Sequence, residues 1–261
     1  MPQNKRMAKL VITLWLLCCA MQLAAQDAIT DSNFHVYLLI GQSNMAGRGV
    51  VDAESTQVNP RILMLDSLNN WVPATDPVHF DKPNVAGVGP AIGFANEMLK
   101  GNDKIRIGVI PCAWGGSPIS VWKPDSVYLK AHPYDDAIKR ATIAKQQGML
   151  KGILWHQGES DNNAARAAIY LEKLQQLITR LRNDLHQPQL PFVAGEIGHF
   201  NKVDIINAVI NRLPVTVNNT AVVSANGLTD KGDQLHFDTP SARELGKRYA
   251  VAMRQLQATK K

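Results

Sequence analysis

Five short apolar runs recur along the chain, and amphipathic segments separate most of them. The runs cover residues 35–40, 105–110, 152–155, 191–194 and 221–223. Each run is nearly continuous in its apolar residues, which is typical of strands in a parallel sheet that is covered on both faces. The pattern predicts a mostly parallel, five-stranded sheet, with residues 61–65 as a weaker candidate for a further strand.

The segments between these runs predict helices, because their apolar residues recur at three- and four-residue spacing. The predicted helices cover residues 90–99, 134–147, 164–185 and 240–255. The longest has a clear apolar face, formed by Leu174, Leu177, Ile178, Leu181 and Leu185. Thr239 is the expected N-cap of the last helix, because Pro240 suits the first helical position.

Strands that alternate with helices predict an open α/β sheet with right-handed crossovers. We therefore expect a three-layer α/β/α fold of the flavodoxin type. The sequence contains no internal repeat, low-complexity tract or linker that would divide it, so residues 26–261 are expected to form a single domain. Residues 50–84 are the least regular part of the sequence and are expected to cross the edge of the sheet.

The first 25 residues have the pattern of a secretory signal peptide. Three basic residues precede an apolar stretch from Leu10 to Leu23, which ends at the small residues Ala24 and Ala25. This stretch is shorter than the roughly 20 apolar residues that cross a bilayer. We therefore favour a cleaved leader over a retained anchor, and expect a secreted or periplasmic protein without a membrane segment.

Removal of residues 1–25 would lower the formal net charge from +6 to +3, because three basic residues and no acidic ones lie there. The remaining chain has no cluster of Lys and Arg with interleaved aromatic residues, so nucleic acid is not the expected partner. Cys112 is the only cysteine outside the leader, which excludes an internal disulfide. The sequence does not indicate an oligomeric state.

Polar and glycine-rich stretches follow each predicted strand. They begin at Gly41, Pro111, His156, Gly195 and Ser224. The carboxyl ends of parallel strands lie along one edge of a sheet, where ligand crevices form. Residues that are far apart in sequence are therefore expected to meet at one site.

Ser43 follows the first strand and is a candidate nucleophile. A serine hydroxyl reacts poorly until a base removes its proton, and the base needs an acidic partner that orients it. Asp233 and His236 provide both on one loop, and their spacing allows the carboxylate to reach Nδ1 of the imidazole. Ser43 alone is equally compatible with a turn or cap residue, and Asp233 and His236 alone indicate a solvated loop, but together the three predict a Ser-His-Asp triad.

An acyl-transfer reaction also needs hydrogen-bond donors for the oxyanion that develops at the carbonyl. Gly115 and Gly116 have no Cβ, so their backbone N–H groups can approach a substrate closely. Gln157 provides a side-chain amide, and Ser43 provides its own backbone N–H. The alternatives are a simple tight turn for the glycines and a polar loop residue for Gln157.

Four sequence stretches together resemble the SGNH hydrolases. They are IGQSNMAGRG, WGGSPISVW, WHQGESD and DQLHF. The resemblance is greatest to the sialate O-acetylesterase-like group, which includes the acetylxylan esterases of carbohydrate esterase family six, and the four stretches occur in the family's order. It implies a cofactor-free esterase that acts on acetylated carbohydrate, with Ser43 as nucleophile, His236 as general base, and Gly115 or Gly116 with Gln157 around the oxyanion.

The chain departs from the pattern of the wider superfamily at two points. Most SGNH hydrolases have Asn at the position of Gln157. The carbohydrate-esterase branch shares the Gln found here. In that branch the acid of the triad is sometimes a Glu after the fourth strand, and Glu196 lies at that position here. We prefer Asp233 because it lies on the same loop as His236, and keep Glu196 as the alternative acid.

Several side chains near these stretches are expected to contact the substrate: Gln42, Asn44, Trp114, Trp122 and Glu159. Aromatic faces stack on sugar rings, although core packing is the alternative role for a tryptophan and the preferred one for Trp155. Glu159 is also expected to order the Gln157 loop, together with Asp161. Acetylated xylan is the first expected substrate and O-acetylated sialic acid the second.

Two other classes of protein compete with this interpretation. His156, Glu159, Asp161 and His199 could bind a metal ion, but the HExxH spacing of metal-dependent hydrolases is absent. We therefore expect no metal. A non-catalytic carbohydrate-binding module is the other alternative, and it would not require Ser43, His236 and a carboxylate as well.

Overall fold

The computed structural model describes residues 30–200 and 204–258, and the predicted leader, residues 1–25, lies outside this part of the chain. A seven-stranded sheet forms its centre, with the strand order β3-β2-β4-β1-β5-β6-β7. The strands are β1 (Asp31–Gly41), β2 (Ile62–Leu65), β3 (Trp71–Pro73), β4 (Arg106–Pro111), β5 (Gly148–His156), β6 (Phe192–Gly195) and β7 (Thr220–Val223). All neighbouring strands are parallel except β2 and β3, which pair antiparallel.

The predicted number of five strands was therefore too low. All five predicted strands are present, and β2 corresponds to the weaker candidate at residues 61–65. The strand β3 was missed because three residues are too few to show a periodic pattern. It pairs with β2 through a tight turn, in which Asp66 Oδ1 accepts hydrogen bonds from the N–H groups of Leu68 and Asn70, each at 2.8 Å.

The four predicted helices are present close to their predicted positions, and three short helices are present in addition. They are α1 (Ser43–Ala46), α2 (Pro90–Leu99), α3 (Pro133–Lys145), α4 (Ala164–Asp184), α5 (Asp204–Ile210), α6 (Leu213–Thr216) and α7 (Thr239–Ala258). The sequence pattern missed α1, α5 and α6, which are too short for a clear apolar stripe. Asp238 takes the capping role expected of Thr239, since its Oδ1 accepts the Ser241 N–H at 2.8 Å.

The sheet separates two apolar cores, because alternate residues of each strand point to opposite faces. In β1, Val36, Leu38 and Ile40 lie in the core covered by α3 and α4. Tyr37 and Leu39 lie in the other core, which α2 and α7 cover. This arrangement confirms the three-layer α/β/α fold. Within the described residues, none of the helices combines the length and apolar character needed to cross a membrane.

The central strand β1 ends where the chain must turn sharply. Gly41 has a φ of 129°, and a Cβ there would lie 2.1 Å from the carbonyl oxygen of His156 on β5. Only glycine fits this close approach between neighbouring strands. The turn places the next residues, Gln42 and Ser43, above the carboxyl edge of the sheet.

Candidate active site

Ser43 is the first residue of α1, directly after the end of β1. The N–H of Gln42 donates to the carbonyl oxygen of His156 at 2.8 Å, and the carbonyl of Gln42 accepts the N–H groups of Met45 and Ala46. These bonds fix the backbone on both sides of the serine. Ser43 is 7% exposed and lines an open cleft at the carboxyl edge of the sheet.

The structure brings Ser43, His236 and Asp233 into one hydrogen-bonded row. His236 Nε2 lies 3.0 Å from Ser43 Oγ, and His236 Nδ1 lies 2.7 Å from Asp233 Oδ2. The other carboxylate oxygen, Oδ1, accepts the backbone N–H of His236 at 2.8 Å. This is the geometry in which a carboxylate orients an imidazole toward a serine hydroxyl.

The same contacts set the charge states of the acid and the base. Partial burial raises the pKa of Asp233, but the hydrogen bonds from His236 and Leu235 outweigh this effect and hold the pKa at about 2. Burial lowers the pKa of His236 below its usual 6.5, although the Asp233 carboxylate opposes the shift. At neutral pH the aspartate is therefore ionised and the histidine is a neutral base.

Asn44 anchors the histidine loop to the helix that carries the serine. Its Nδ2 donates to Glu159 Oε1 at 2.5 Å and to the carbonyl of Leu235 at 3.0 Å. Its Oδ1 accepts the N–H of Phe237 at 3.1 Å. The expectation that Asn44 contacts substrate is wrong, because the side chain is buried and each polar atom already has a protein partner.

The two glycines of the predicted oxyanion hole have different surroundings. The N–H of Gly115 donates to Asp81 Oδ2 at 2.8 Å, so it is not available to a substrate. Gly116 has a φ of 82° and lines the cleft with Ser43. Among the described residues, no acceptor takes the N–H of Gly116 or of Ser43. Gly116 and Ser43 therefore have backbone N–H groups without a protein acceptor at the cleft, whereas the Gly115 N–H is already bonded to Asp81, which corrects the choice of Gly115.

The expectation that the Gln157 amide reaches the oxyanion is also wrong. Gln157 is 0% exposed and does not line the cleft. Its Nε2 donates instead to Asp161 Oδ2 at 2.6 Å, to the carbonyl of Ser117 at 3.2 Å and to Gln42 Oε1 at 3.1 Å. Asp161 also accepts the N–H of Ile119 at 2.8 Å, so it orders this loop as expected.

Glu196 has a set of partners that does not include His236. Its Oε1 accepts Asn211 Nδ2 at 2.6 Å, and its Oε2 lies 2.7 Å from Ser224 Oγ and 3.1 Å from His199 Nε2. Burial raises the pKa of Glu196, but these hydrogen bonds together hold it below its usual value. The geometry thus pairs His236 with Asp233 and gives Glu196 a role in linking the loops after β6 and β7.

The tryptophans do not line the catalytic cleft. Trp122 is 1% exposed, its Nε1 donates to Ser117 Oγ at 3.0 Å, and its ring packs edge to face on Trp155. The expected contact of Trp122 with substrate is wrong, because the ring belongs to the core. Trp114 is half-buried and lines a neighbouring cavity of about 250 Å³.

The cleft itself is open and has a volume of about 480 Å³. Gln42 and Glu159 line it as expected, together with the cations Arg48, Lys82 and Lys231. Arg48 is paired with Asp81 and Lys231 with Asp233, whereas no ion pair within the described residues includes Lys82. Burial raises the pKa of Glu159. Throughout residues 30–200 and 204–258, no group of three or more His, Cys, Asp or Glu residues is arranged to hold a metal ion.

Arg48 and Asp81 support the site but were missed in the sequence. Arg48 Nη2 lies 2.7 Å from Asp81 Oδ2 in a buried ion pair. The same carboxylate oxygen accepts the backbone N–H of Gly115. Asp81 belongs to the irregular region at residues 50–84. No local pattern distinguishes it there, because its partners are more than 30 positions away in the chain.

The fold and the row of hydrogen bonds define an esterase of the SGNH type. Residues 33–255 match the family model described as carbohydrate esterase, sialic acid-specific acetylesterase. The chain belongs to this family, and is therefore a carbohydrate esterase.

Similar proteins agree with this membership. The chain is 34% identical over 241 residues to a probable carbohydrate esterase of Arabidopsis thaliana, At4g34215, and the match covers 83% of this chain and 89% of that protein. The X-ray structure of that plant protein superimposes with a TM-score of 0.77 at 33% identity, covering 86% of this chain and 98% of the other. The structure of NanS shares the fold, with a TM-score of 0.70 at 20% identity, and covers 89% of this chain and 100% of the other.

Proposed function

We propose that the protein is a secreted carbohydrate O-acetylesterase that works through an acetyl-serine intermediate. The observation that carries the mechanism is the row of hydrogen bonds from Ser43 Oγ to His236 Nε2 at 3.0 Å and from His236 Nδ1 to Asp233 Oδ2 at 2.7 Å. A neutral histidine can take the proton of the serine, and the ionised aspartate stabilises the imidazolium that results.

The reaction proceeds in two halves. Ser43 Oγ attacks the acetyl carbonyl while His236 Nε2 takes its proton, and the oxyanion that forms accepts the N–H groups of Ser43 and Gly116. His236 then protonates the sugar oxygen as it leaves, so that acetyl-serine remains. Water attacks this ester with His236 again as base, and acetate and free Ser43 are released.

Acetylated polysaccharide, such as acetylxylan, is the first proposed substrate. The cleft around Ser43 is open and has a volume of about 480 Å³, so a polymer can pass across it with one acetyl group at the serine. A cleft of this kind binds the sugar through its polar rim, since no aromatic side chain lines it.

O-acetylated sialic acid is the second candidate, and the charge of the rim favours it. Lys82 and Lys231 both line the cleft, and no carboxylate among the described residues forms an ion pair with Lys82. An ammonium group at the rim can pair with the carboxylate of an acidic sugar. The description of the family is consistent with this candidate.

The replacement Ser43→Ala tests the mechanism. We expect it to abolish acetate release from p-nitrophenyl acetate while the thermal unfolding of the protein stays unchanged, because the nucleophile is lost and a small side chain replaces it. Ser67→Ala, at an exposed turn, is the control and should retain full activity. Activity of the Ser43→Ala protein above the uncatalysed rate would contradict the assignment.

Acetate release from acetylxylan and from O-acetylated sialic acid, measured side by side, distinguishes the two substrates. If sialic acid is the substrate, Lys82→Ala should raise KM for it and leave turnover of p-nitrophenyl acetate unchanged. If acetylxylan is the substrate, Lys82→Ala should have little effect on KM for acetylxylan. If the protein releases acetate from neither compound, both candidate substrates are contradicted.

A further inference from the structure

We propose that a cavity beside the catalytic cleft binds a neutral sugar unit next to the acetylated one, so that the protein acts on an oligosaccharide better than on a single sugar. This side cavity has a volume of about 250 Å³, and its lining includes His79, Phe80, Asp81 and Trp114. The residues that line it differ from those that line the cleft around Ser43. The assignment rests on the proposed acetylesterase function, with acetylxylan as the substrate.

The side cavity is adjacent to the catalytic cleft, because two stretches of the chain line both spaces. Asp81 lines the side cavity and the next residue, Lys82, lines the cleft. Likewise, Trp114 lines the side cavity and Gly115 lines the cleft. Consecutive Cα atoms are about 3.8 Å apart, which is less than the width of a sugar ring. An oligosaccharide with its acetyl group at Ser43 can therefore place a neighbouring unit in the side cavity.

Hydrogen bonds fix the wall between the two spaces. Asp81 Oδ2 accepts Arg48 Nη2 at 2.7 Å and the backbone N–H of Gly115 at 2.8 Å. The side chain of Asp81 is only 1% exposed, so both bonds are shielded from water. A binding site that is ordered in advance loses less free energy when its ligand binds. The two spaces therefore have a fixed separation, which suits a chain of regularly spaced sugar units.

Aromatic rings give the side cavity a surface for a sugar ring. Phe80 is 40% exposed and Trp114 is half-buried, and both line the cavity. Such side chains provide a large contact area, and their faces pack well on the C–H faces of sugars. The guanidinium of Arg140 lies 5.0 Å from the centre of the Phe80 ring and supports it from one side. The catalytic cleft has no aromatic lining, so the side cavity provides the stacking surface that the cleft lacks.

The charges of the side cavity favour a neutral ligand over an anion. Its lining contains two carboxylates and two basic side chains, which balance each other: Asp81, Asp136, Lys139 and Arg140. His79 adds no charge at neutral pH, because burial lowers its pKa to about 4. A lining of this kind has no net attraction for the carboxylate of an acidic sugar, and its polar groups suit hydroxyl groups instead.

His79 also provides a polar atom that lacks a partner. The side chain is 3% exposed and lines the side cavity, and its Nε2 has no hydrogen-bond partner among the described residues. Buried polar atoms are normally paired. A sugar hydroxyl both donates and accepts hydrogen bonds, so it can pair with this nitrogen in either tautomer of the imidazole.

The first test compares substrates of different length. With the unmodified protein, we expect KM for acetate release from monoacetylated xylotriose to be about tenfold lower than from monoacetylated xylose, a factor that corresponds to about 1.4 kcal/mol. The difference measures the contacts made by the units that carry no acetyl group. An equal KM for the two substrates would show that no second unit is bound.

Phe80→Ala assigns this difference to the side cavity. We expect it to raise KM for acetylated xylotriose by about tenfold with kcat nearly unchanged, because it removes binding that the ground state and the transition state share. Turnover of acetylated xylose and of p-nitrophenyl acetate should stay normal, which also shows that the variant is folded. Phe80→Tyr keeps the ring and should keep the low KM. Leu68→Ala, at a side chain that is 78% exposed and outside the lining, is the matched control. If Phe80→Ala leaves KM for xylotriose unchanged, the proposal is wrong.

Direct binding provides a readout that does not depend on turnover. In calorimetric titrations of the Ser43→Ala protein, we expect xylotriose without acetyl groups to bind, and Phe80→Ala in the same background to weaken this binding by about tenfold. An unmodified protein that binds xylotriose but releases no acetate would contradict the esterase function alone. A protein that releases acetate from both substrates with the same KM, and does not bind xylotriose, would contradict the side cavity alone.

Discussion

Gln42, Ser43 and Asn44 are consecutive in the chain, but their side chains have different partners. Ser43 Oγ faces His236, Asn44 is bonded to the histidine loop and to Glu159, and Gln42 is held by Gln157 and Ser160. Ser43 is thus the proposed nucleophile, Asn44 anchors the histidine loop, and Gln42 is bonded to the loop after β5. At the scale of single residues, the partner that each atom already has decides what it can offer to a substrate.

The pH dependence follows from the environment of His236. Burial lowers the pKa of this imidazole below 6.5, and only its neutral form can accept the serine proton. We expect kcat/KM to be constant at neutral pH and to fall as the pH drops through an apparent pKa below 6.5, because protonation removes the base. Rates with p-nitrophenyl acetate between about pH 4 and 8 measure this. A profile without an acid limb in that range would contradict His236 as the base.

The choice between the two acids can be tested by two matched amide replacements. Asp233→Asn removes the charge that orients His236 and stabilises its protonated form, so kcat should fall by more than about 100-fold. Glu196→Gln removes a carboxylate that contacts His199, Ser224 and Asn211. We expect it to lower thermal stability with kcat within about threefold of normal. The reverse ranking of kcat would identify Glu196 as the acid.

At the scale of elements, the site depends on a loop and a short helix that are far apart in the sequence, since Ser43 and His236 are 193 positions apart. The loop with Asp233 and His236 is folded by its own bonds, since Asp230 Oδ2 accepts the N–H groups of Gly232 and Gln234. Asn44 on α1 then fixes this loop through Leu235 and Phe237. His236 and Ser43 are therefore held by separate elements, which the side chain of Asn44 connects.

A second contact between elements depends on two glycines. A Cβ on Gly246 of α7 would lie 2.2 Å from the carbonyl oxygen of Pro90, and one on Gly93 of α2 would lie 2.4 Å from the carbonyl oxygen of Arg243. The two helices approach closely because both positions lack a side chain. Together they form much of the layer that covers one face of the sheet.

We expect Gly246→Val to lower the free energy of unfolding by about 1–3 kcal/mol, because the added atoms force the helices apart. Chemical denaturation monitored by circular dichroism measures the change. Lys247→Ala, at the next and exposed position of α7, should change the stability by less than about 0.5 kcal/mol. A Gly246→Val protein as stable as this control would show that the helices can separate without cost.

At the scale of the whole molecule, a parallel sheet brings residues from the whole length of the chain to one edge. Ser43 follows β1, Gly116 follows β4 and Glu159 follows β5, while His236 comes from the loop before α7. β1, β4 and β5 are neighbours in the sheet, so their following loops surround one cleft. The order of the strands, and not the order of the sequence, makes these residues neighbours.

Processing of the N-terminal leader is a prediction for the whole chain. When the protein is expressed in a secreting bacterial host, we expect export and cleavage after Ala25, so that mass spectrometry finds an N-terminus at Gln26. Leu16→Arg should block export, because a charge interrupts the apolar stretch of the leader. An exported protein that keeps Met1 and sediments with membranes would instead indicate a retained anchor.

The sequence alone was sufficient to predict the three layers, the five central strands and the four long helices. These depend on the spacing of apolar residues within a segment, which is a local property. It was also sufficient to name Ser43, Asp233 and His236, since a triad needs these residue types and the short loop limits the geometry of the last two. The pairing of His236 with Asp233 and not Glu196 still required the structure.

Tertiary structure alone decided which of the other polar residues face the cleft. Gln157, Asn44 and Gly115 have the chemistry of donors to a substrate, but their donors are taken by Asp161, Glu159 and Asp81, respectively. Trp122 is an aromatic residue near the site that proves to be core. Burial and the direction of a hydrogen bond depend on partners far away in the chain, so no local pattern contains them.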